Sequence, residues 1–376
     1  MNIGIDGNEA NVLAKVGIGA YAFSLVSEFA KLSSSDYRFR LYLKENPRIE
    51  MPPPSEHFRY TIFGPQKLWT QFALPMHLFV SRPRPNVFFT PTHYAPRFSP
   101  IPTVISVMDL SYIHFPHLFN KKDLFQLKQW TSYSVKNAAK ILTISKSSKD
   151  DIINYYHVSK DKVVVTYPGI SENKPGKEKT YSMEKLQKKY GITTDYILFV
   201  GTLQPRKNIT RLIEAFAKIV KNHPEISLIV VGKKGWQYEE ILLSPGKFGV
   251  GTQVKFLDFV TDDDLPLFYQ NAICFVLPSL YEGFGLPVLE AMKFGCPVIT
   301  SNVSSLPEAG GTACLYIDPL DIDDIAQKLK QMIEDPLLRK KMVQAGRRHI
   351  KKFSWEKTAK ETLAVLQEVA NKQYEG

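Results

Sequence analysis

Cysteine and long apolar runs are both scarce in this sequence. Only three of its 376 residues are cysteines, Cys274, Cys296 and Cys314, and each lies in or beside an apolar, strand-like segment. Their spacing fits neither a disulfide framework nor a metal site, so we expect buried thiols in a reducing compartment. No apolar run approaches the roughly 20 residues that a transmembrane helix needs. The sequence therefore predicts a cytoplasmic protein that does not cross a membrane.

The rest of the composition is ordinary for a globular protein. Hydrophobic residues make up 44% of the chain and charged residues 23%, which is typical of a packed, water-soluble fold. The amino terminus, Met1 to Asp6, has the pattern of a first strand and lacks that of a signal peptide. A chain of 376 residues is long for one core and suits two domains of roughly 150–200 residues each.

Positive charge is concentrated in the amino-terminal half. Residues 1–170 hold 20 Lys and Arg against 12 Asp and Glu, a balance of +8, whereas the remainder holds 28 against 25, a balance of +3. This excess favours an anionic membrane surface or a phosphate-bearing acceptor as partner, and plain solubility explains it equally well. The basic, aromatic segment 67–89 fits a lipid surface, although a helix packed in the interior is the commoner explanation. A nucleic-acid binder has only the pI of about 9.2 in its favour, since no base-reading module is visible.

Strand-like and helix-like segments alternate along both halves of the chain. Apolar runs predict seven strands before residue 167 and six after residue 195, with helical patterns between them. Residues 167–179 are rich in Gly, Pro, Lys and Glu, which is typical of a linker. Alternation of this kind predicts parallel sheets with right-handed crossovers, so we expect two α/β domains, each with a ligand-binding edge at the carboxyl ends of its strands.

The stretch 278–292 carries the strongest chemical signal. An apolar strand pattern over 272–277 leads into a glycine-containing loop, Pro287 suits the start of a helix, and Gly295 suits its end. Free N–H groups at such a helix start favour a phosphate or pyrophosphate. Glu282 and Glu290 bracket this position, and carboxylates suit sugar hydroxyls better than phosphates. The pattern predicts a pocket for a nucleotide diphosphate that carries a sugar.

This stretch resembles the donor-site motif of the family-4 retaining glycosyltransferases, whose hallmark is the spacing Glu-x7-Glu. The resemblance extends to the segments 199–208, 297–300, 305–308 and 353–355. It implies the GT-B architecture, in which two Rossmann-like, doubly wound parallel-sheet domains face a central cleft. The expected boundaries are an acceptor-binding domain at 1–170, a linker at 171–192, a donor-binding domain at 193–353, and a last helix at 354–376 that returns to the first domain.

The resemblance assigns roles to residues of the second half. Glu282 should face the transferred sugar, and Glu290 should accept hydrogen bonds from the ribose of the nucleotide. The donor loop would offer its backbone N–H groups to the sugar and diphosphate, from Phe284, Gly285 and Leu286. Without the flanking loop, Glu282 would be interpreted as an acid attracted to the positive end of the helix, and Glu290 as a surface helix residue.

A second donor segment follows the strand near residue 200. Lys207 should neutralise the departing diphosphate, within a loop that begins at Gly201. Many relatives carry an arginine where this chain has Thr202, so Arg206 is the expected substitute. The resemblance implies that no metal ion and no other cofactor takes part. The run 261–264 resembles a metal-binding Asp-x-Asp motif, but its pattern is better explained by a capping box, with Thr261 as N-cap.

In the first half, the resemblance places Gly17 and Gly19 in a loop opposite the donor diphosphate, near the acceptor. Asp109 is expected to orient the acceptor, although capping of the next turn is an equally good explanation. Relatives commonly have a histidine where this chain has Met108, which cannot relay a proton. His93 and His114 receive no role.

The expected activity is transfer of a hexosyl unit, mannosyl by family analogy, from a nucleotide-diphosphate sugar to a hydroxyl acceptor. The acceptor would be a sugar, a glycolipid or a polyprenyl-linked glycan in polysaccharide or glycolipid assembly. The enzyme would be cytoplasmic, with peripheral attachment to the inner face of the membrane as one option. Two alternatives remain open: a nucleotide-sugar epimerase of the same fold, and a catalytically silent nucleotide-sugar-binding module.

Overall fold

The structure is a computed structural model that describes residues 1–13, 15–170, 183–258 and 260–372. Within these ranges the chain forms thirteen β-strands: β1 (Asn2–Asp6), β2 (Arg38–Leu43), β3 (Phe58–Ile62), β4 (Val87–Thr90), β5 (Thr103–Ser106), β6 (Lys140–Thr143), β7 (Val163–Val165), β8 (Tyr196–Val200), β9 (Ser227–Val231), β10 (Val254–Leu257), β11 (Cys274–Leu277), β12 (Val298–Ser301) and β13 (Cys314–Ile317).

The same ranges contain fourteen α-helices: α1 (Ile18–Leu32), α2 (Ala73–Val80), α3 (Ser111–His114), α4 (Lys121–Asn137), α5 (Lys146–Tyr156), α6 (Met183–Tyr190), α7 (Ile209–Val220), α8 (Glu239–Lys247), α9 (Leu265–Asn271), α10 (Leu286–Lys293), α11 (Leu306–Gly310), α12 (Ile322–Glu334), α13 (Pro336–His349) and α14 (Trp355–Lys372). None of these helices is both long and apolar enough to cross a bilayer.

The described residues fall into two compact units. Unit one contains residues 1–112, 120–170 and 353–372, and unit two contains residues 113–119 and 183–352. Each unit has one parallel sheet with helices in its crossovers, so the predicted α/β alternation is confirmed. All thirteen strands lie where an apolar run predicts one, with shifts of one or two residues at some ends.

Unit one is built on a sheet of seven parallel strands in the order β3-β2-β1-β4-β5-β6-β7. Successive residues of β2 point to opposite faces of this sheet. Leu41 lies in the large core that α1 and α14 cover. Tyr42, the next residue, lies in a smaller cluster with Leu74 and Leu78 of α2. The two faces therefore have separate apolar cores.

The last helix belongs to unit one. Leu363 and Leu366 of α14 are buried with residues of α1 and of the first sheet. Near its start, the hydroxyl of Thr358 donates to the carbonyl oxygen of Tyr167 at 2.7 Å. Apolar spacing along this helix predicts a buried face, but a helical pattern does not identify the sheet on which the helix packs.

Unit two is built on a sheet of six parallel strands in the order β10-β9-β8-β11-β12-β13. The chain adds β9 and β10 on one side of β8, then crosses to the other side for β11, β12 and β13. Strand order reverses between β8 and β11, and ligands of open α/β sheets bind at such a switch point. The two loops that leave these strands are the two donor segments indicated by the sequence.

Two segments differ from the expected organisation. Residues 183–190, which the sequence places in the linker, form helix α6 of unit two, while residues 171–182 lie outside the described residues. Lys185 and Lys189 of α6 both bind the buried carboxylate of Asp264. Residues 113–119, from the first half of the chain, pack with unit two.

The expected capping box before α9 is wrong. Helix α9 begins at Leu265, its N-cap position is Asp264, and no side chain caps it. The Asp264 carboxylate is 3% exposed and also accepts from the hydroxyl of Tyr190 at 2.8 Å. The partners of its carboxylate oxygens are therefore side chains of α6, and the described residues give it no cap hydrogen bond to α9. Asp321 does cap its helix, since its carboxylate accepts from the N–H groups of Asp323 and Asp324.

Candidate functional site

The candidate site lies at the switch point of unit two, where two loops leave neighbouring strands. Strands β8 and β11 pair in parallel, so their carboxyl ends lie at one edge of the sheet. The loop after β8 runs through a short turn, Pro205–Lys207, before α7 begins. The loop after β11 covers residues 278–285 and leads into α10. The fold thus brings together residues that are about 75 positions apart in sequence.

Three charged side chains of these loops form one cluster. The ammonium of Lys207 donates to Oε1 of Glu282 at 2.5 Å, and the guanidinium of Arg206 donates to Oε2 at 3.1 Å. The hydroxyl of Ser279 donates to Oε1 at 2.7 Å. The side chains of Lys207 and Glu282 are nearly inaccessible, with the residues 9% and 8% exposed. A buried carboxylate is therefore matched by two cations and a hydroxyl.

The cations keep Glu282 ionised. Burial alone would raise the pKa of this carboxyl, but Lys207 and Arg206, with hydrogen bonds from Lys207 and Ser279, outweigh it and lower the pKa to about 2. An opposite charge at contact distance favours the charged form of an acid. At neutral pH the cluster holds two positive charges and one negative charge. Its net charge of one positive unit suits an anionic ligand.

Asn208 locks the two loops together. Its backbone is left-handed, with φ of 60°, and its side-chain amide donates to the carbonyl oxygens of Pro278 at 3.0 Å and Pro319 at 2.6 Å. The N–H of Leu280 donates to the carbonyl oxygen of Arg206 at 2.9 Å. These bonds fix the spacing between the cations and the loop that carries Glu282.

Two serines of the β12–α11 loop hold the backbone of Glu282. Its N–H donates to the hydroxyl of Ser304 at 3.0 Å, and its carbonyl oxygen accepts from the hydroxyl of Ser305 at 2.7 Å. The sequence assigned no role to either serine or to Ser279. The sequence indicates only that these serines lie within or near segments that resemble the family. A serine hydroxyl that binds backbone far away in the chain produces no recognisable local pattern.

Gly285 shapes the start of α10. Its φ of 103° is a conformation that L side chains rarely adopt, and a Cβ here would lie 2.7 Å from Cδ2 of buried Leu306. Within the described ranges, the N–H groups of Gly285 and Leu286 donate no hydrogen bond to the protein. Such N–H groups at a helix start, with the positive end of the helix dipole, attract an anion. Phe284 precedes them with its side chain buried.

Replacing Gly285 with alanine should destabilise unit two by about 1–3 kcal/mol, because the residue would be strained and would press on Leu306. Gly17→Ala is the matched control: Gly17 also has a positive φ, 54°, but no atom lies within 4 Å of its added Cβ. Urea unfolding measures both changes. Equal decreases in the free energy of unfolding for the two variants would mean that the contact with Leu306 does not contribute to the destabilisation.

Glu290 lies on the first turns of α10 in a different setting. One carboxylate oxygen accepts from the hydroxyl of Tyr269 at 3.3 Å, the one side-chain hydrogen bond that the described residues give it. Burial is the main influence on its pKa and raises it, although Tyr269 and Lys293 act in the opposite direction. An ionised carboxylate can accept about four hydrogen bonds. Glu290 therefore keeps capacity for ligand hydroxyls.

The segment 113–119 packs on the donor loop and is a part of this site that sequence reasoning missed. The ring of Tyr281 lies 4.7 Å from that of His114 and 6.2 Å from that of Phe115, measured between centroids. The amide of Gln237 donates to the carbonyl oxygen of His117 at 3.3 Å. Nothing in the local sequence around residue 114 indicates packing against a loop more than 160 residues away.

Gly201 and Thr202 lie at the end of β8. A Cβ on Gly201 would lie 3.9 Å from Cε of Lys207, so this backbone borders the charged cluster. The carbonyl oxygen of Gly201 also lies so close to Gly232 that a Cβ there would be only 1.9 Å away. Thr202 is exposed, and its methyl group faces Gly235 of the neighbouring loop. Arg206 supplies the guanidinium of the cluster, and its role as a substitute for an arginine at position 202 stays a prediction.

In unit one, the structure places the glycine loop at the start of α1. Gly17 is exposed and has a left-handed φ of 54°, and Gly19 is buried in the first turn. This loop follows β1, which neighbours β4 at the point where the strand order of the first sheet reverses. The two glycines therefore lie near a ligand-binding edge of their own sheet.

Asp109 and Met108 follow β5 in the same unit. The Asp109 carboxylate accepts from the N–H of Ser111 at 2.8 Å, which caps the next turn. Met108 packs against the core of unit one. His93 interacts electrostatically with Asp109, and its Nε2 atom is buried without a hydrogen-bond partner in the described residues. Burial lowers the pKa of His93 to about 4, so this ring is neutral at physiological pH.

Asp6 is a further acid that the sequence did not single out. It ends β1, and its carboxylate accepts from the backbone N–H and side-chain amide of Asn8 at 3.1 and 2.8 Å. Burial raises its pKa to about 6 despite these bonds. A perturbed acid at a strand end is a candidate functional group.

Comparison with solved structures defines the class of the fold. Alr3699/HepE from Anabaena, solved in complex with UDP and glucose, matches with a TM-score of 0.75 at 18% sequence identity, over 98% of this chain and 100% of that one. Two parallel α/β units of this kind make the protein a GT-B fold.

Sequence comparison then identifies the family. The family described as "Glycosyl transferases group 1" matches residues 182–349, and "Glycosyltransferase Family 4" matches residues 17–174. O-antigen chain mannosyltransferase B of Escherichia coli is 34% identical over 69% of this chain and 68% of its own length. The chain belongs to the family-4 glycosyltransferases, and the resemblance seen in the sequence is confirmed.

A second relative is much longer than this chain. Serotype-specific mannosyltransferase WbdA of Escherichia coli is 33% identical over 60% of this chain, but the match spans only 28% of WbdA. Both relatives are named mannosyltransferases, so the class of enzyme is shared between them.

Proposed function

We propose that this glycosyltransferase moves a mannosyl unit from a nucleotide-diphosphate sugar to a hydroxyl acceptor, with retention at the anomeric carbon. The cluster of Arg206, Lys207 and Glu282 beside the start of α10 is the observation that carries the proposal. It combines fixed cations, unbonded helix N–H groups and an ionised acid at one switch point. Those are the groups that a departing diphosphate and a cationic sugar require.

The chemistry assigned to the site is an exchange of one C–O bond for another. The bond between C1 of the sugar and the diphosphate oxygen breaks, and the bond between C1 and the acceptor oxygen forms on the same face. The acceptor proton passes to an oxygen of the departing diphosphate. Lys207, Arg206 and the N–H groups of Gly285 and Leu286 stabilise the negative charge that develops there.

Glu282 has two tasks in this mechanism. It holds Lys207 and Arg206 in place before the donor binds, through contacts of 2.5 and 3.1 Å. Its pKa of about 2 keeps it anionic at working pH, so it also stabilises positive charge on the sugar ring. Fixed groups of this kind need no reorganisation during the reaction. Glu290, farther along α10, binds the ribose hydroxyls.

In unit one, we assign the acceptor side to Gly17, Gly19 and Asp109. The exposed, left-handed Gly17 allows close approach of backbone to a ligand. One carboxylate oxygen of Asp109 accepts the hydrogen bond that caps the next turn. We assign the other carboxylate oxygen to an acceptor hydroxyl. Met108 is partly buried against the core and cannot relay a proton, so the mechanism contains no histidine-assisted step at that position.

The cellular setting is also part of the proposal. Cys274 and Cys296 are buried free thiols and Cys314 is a partly buried one, which suits a cytoplasmic protein. The acceptor would be a glycan or glycolipid in polysaccharide assembly, an assignment that the relative named O-antigen chain mannosyltransferase B supports. We place the enzyme at the inner face of the membrane, where a lipid-linked acceptor would be presented. The reaction would need no metal, because Lys207 and Arg206 supply positive charge at the diphosphate.

Thermal-shift screening against UDP, GDP, ADP and TDP sugars should show stabilisation by one nucleotide class, and GDP-mannose is the expected ligand. Incubation with that donor and a hydroxyl acceptor should yield a product of the same anomeric configuration by NMR, at a rate that EDTA leaves unchanged. Inversion at C1 would contradict retention, and loss of activity in EDTA would contradict metal independence. A released sugar epimer would identify an epimerase instead. Binding without transfer or donor hydrolysis would identify a silent module.

A further inference from the structure

Helix α2 of unit one presents an apolar stripe to solvent. Its inner residues Leu74 and Leu78 are fully buried. Its outer residues and the preceding N-cap residue, Phe72, follow the helical spacing i, i+4, i+7, i+8. Large fractions of their surface are exposed: Phe72 63%, Met76 65%, Phe79 45% and Val80 69%. Scattered exposed apolar residues are normal on a protein surface, but a contiguous apolar stripe marks an interaction site.

A basic cavity adjoins the end of this helix. It has a volume of about 280 Å³ and three arginines in its lining: Arg38, Arg40 and Arg59. Pro83 and Pro85, which follow α2, form another part of the wall. The cavity and the apolar stripe are therefore joined by five residues of chain, 81–85.

Strand register explains why the arginines converge. Arg38 and Arg40 alternate with buried Phe39 on β2 and so point to one face of the sheet. Arg40 pairs with Arg59 of β3 in the parallel register, which puts Arg59 on that face too. Tyr42, two residues beyond Arg40, is covered by α2 on the same face. The eight-residue helix leaves the part of the face with the arginines uncovered.

Positive charge exceeds negative charge in the lining of this cavity, which holds three arginines and one acid, Glu56. Among the described residues, no carboxylate lies within 4 Å of the guanidinium groups of Arg38, Arg40 or Arg59. The one acid in the lining, Glu56, lies 3.9 Å from His57. Guanidinium groups without a carboxylate partner are suited to bidentate recognition of a phosphate.

Two more arginines flank the junction. The guanidinium groups of Arg82 and Arg84 both donate to the carbonyl oxygen of Phe79, at 3.1 and 2.6 Å. These bonds fix two positive charges at the end of the apolar stripe. Apolar side chains bordered by arginines match the layered chemistry of a bilayer surface, in which acyl chains lie below anionic headgroups.

We propose that this face of unit one docks on an anionic phospholipid bilayer. The stripe of Phe72, Met76, Phe79 and Val80 enters the boundary between headgroups and acyl chains. The cavity of Arg38, Arg40 and Arg59 binds the phosphate of one lipid headgroup. The inference deepens the proposed function, on which it rests for the idea of a membrane-presented acceptor, by naming the surface that meets the membrane.

Vesicle flotation without any nucleotide sugar tests the inference. The full chain should bind vesicles that contain phosphatidylglycerol and should not bind vesicles of phosphatidylcholine alone. Arg38 and Arg59 are exposed, so the double variant Arg38→Gln/Arg59→Gln should fold and should bind at least about tenfold more weakly, since each basic residue near an anionic surface contributes roughly 1 kcal/mol. Met76→Ser/Phe79→Ser should also lose binding.

The matched control is Lys121→Gln/Lys122→Gln, which removes two exposed positive charges of α4 in the same unit. This control should keep at least half of the vesicle affinity. An equal loss of vesicle affinity in the arginine and the lysine double variants would overturn the inference. It would mean that the protein is attracted to the vesicle by its overall charge and has no headgroup site. Binding of wild type to phosphatidylcholine vesicles with the same affinity would overturn it as well.

Two further measurements test whether a soluble phosphate or a second copy of the chain binds this face. Glycerol phosphate at millimolar concentration should not bind the cavity tightly enough to displace vesicles; full displacement would identify a soluble phosphate as the ligand. Light scattering should give the same mass for wild type and Met76→Ser/Phe79→Ser; a dimer lost in the variant would identify a second copy of the chain. Nucleotide affinity should be equal in all variants, so loss of docking is distinguishable from failure of the donor site.

Discussion

Replacing Lys207 with alanine should lower kcat for glycosyl transfer by about 10²-fold or more. Removal of one fixed donor to a developing oxyanion costs enzymes about that much. Lys207 is buried, and its ammonium lies 2.5 Å from Oε1 of Glu282. Water in the variant therefore does not fully replace the stabilisation that this fixed positive charge gives to the departing diphosphate. The measurement is steady-state transfer at saturating donor, with thermal unfolding to establish that the variant is folded. Wild-type turnover would refute the role of Lys207.

Lys234→Ala is the control for this experiment. Lys234 lies in the loop after β9, with 47% of its side chain exposed, and its ammonium is 4.0 Å from Asp258. Its loss should change kcat less than twofold. Combining Lys207→Ala with Glu282→Gln should cost much less than the product of the two single effects, because the two side chains act as one charged unit. Multiplicative losses would mean that they act independently.

The sequence predicted the frame of the donor site because that frame is local. Alternating apolar runs identified all thirteen described strands and so both parallel sheets. Pro287 and Gly295 correctly indicated the extent of α10, since proline favours a helix start and glycine with a positive φ favours its end. Each of these signals is read within one short stretch of chain.

The partners of the site residues were not predictable in this way. Glu282 was expected to face sugar and Lys207 to face phosphate, and nothing local indicated that the two pair directly with each other. Ser304 and Ser305 bind the backbone of Glu282 from another loop. Such contacts depend on which strands become neighbours, and single-sequence patterns do not encode strand order.

The prediction that Thr261 caps α9 is wrong for the same reason, since it depends on a local pattern alone. A capping box is a local pattern, and the run 261–264 fits it. Helix α6, about 75 residues earlier in the chain, brings Lys185 and Lys189 to the Asp264 carboxylate. Both carboxylate oxygens of Asp264 accept from these lysines, so neither makes the hydrogen bond that a capping box requires. Tertiary contacts decided the role of this residue.

The surroundings of the two glutamates of the donor motif shift their pKa values in opposite directions, which is the basis of the second large effect. Two cations lower the pKa of Glu282 to about 2, whereas burial raises that of Glu290. Glu282 is therefore suited to stabilise charge in the transition state, and Glu290 to accept hydrogen bonds from hydroxyls in the ground state. Their replacement should affect different kinetic constants.

Glu282→Gln should lower kcat by about 10²-fold while the Kd for the nucleotide stays within a few-fold or tightens, because Lys207 and Arg206 lose their carboxylate and keep their charge. Glu290→Gln should weaken nucleotide binding by roughly 10- to 100-fold, since a hydrogen bond to a charged group contributes about 1.5–3 kcal/mol. Its kcat at saturating donor should change little. Calorimetry and steady-state kinetics separate the two constants.

Stability must be measured alongside, because Glu282 is a partner in a buried ion pair. Removing one member of such a pair costs about 3–5 kcal/mol, a large share of the 5–15 kcal/mol that holds a typical domain together. Ser279→Ala is a milder control, since it removes one hydrogen bond to Glu282 and leaves both cations paired. It should weaken stability by about 1–3 kcal/mol and keep most of the turnover. If Glu282→Gln instead abolished nucleotide binding and Glu290→Gln lowered only kcat, the two carboxylates would have exchanged roles, and the leaving diphosphate would have to lie nearer to Glu290 than to the Lys207 ammonium.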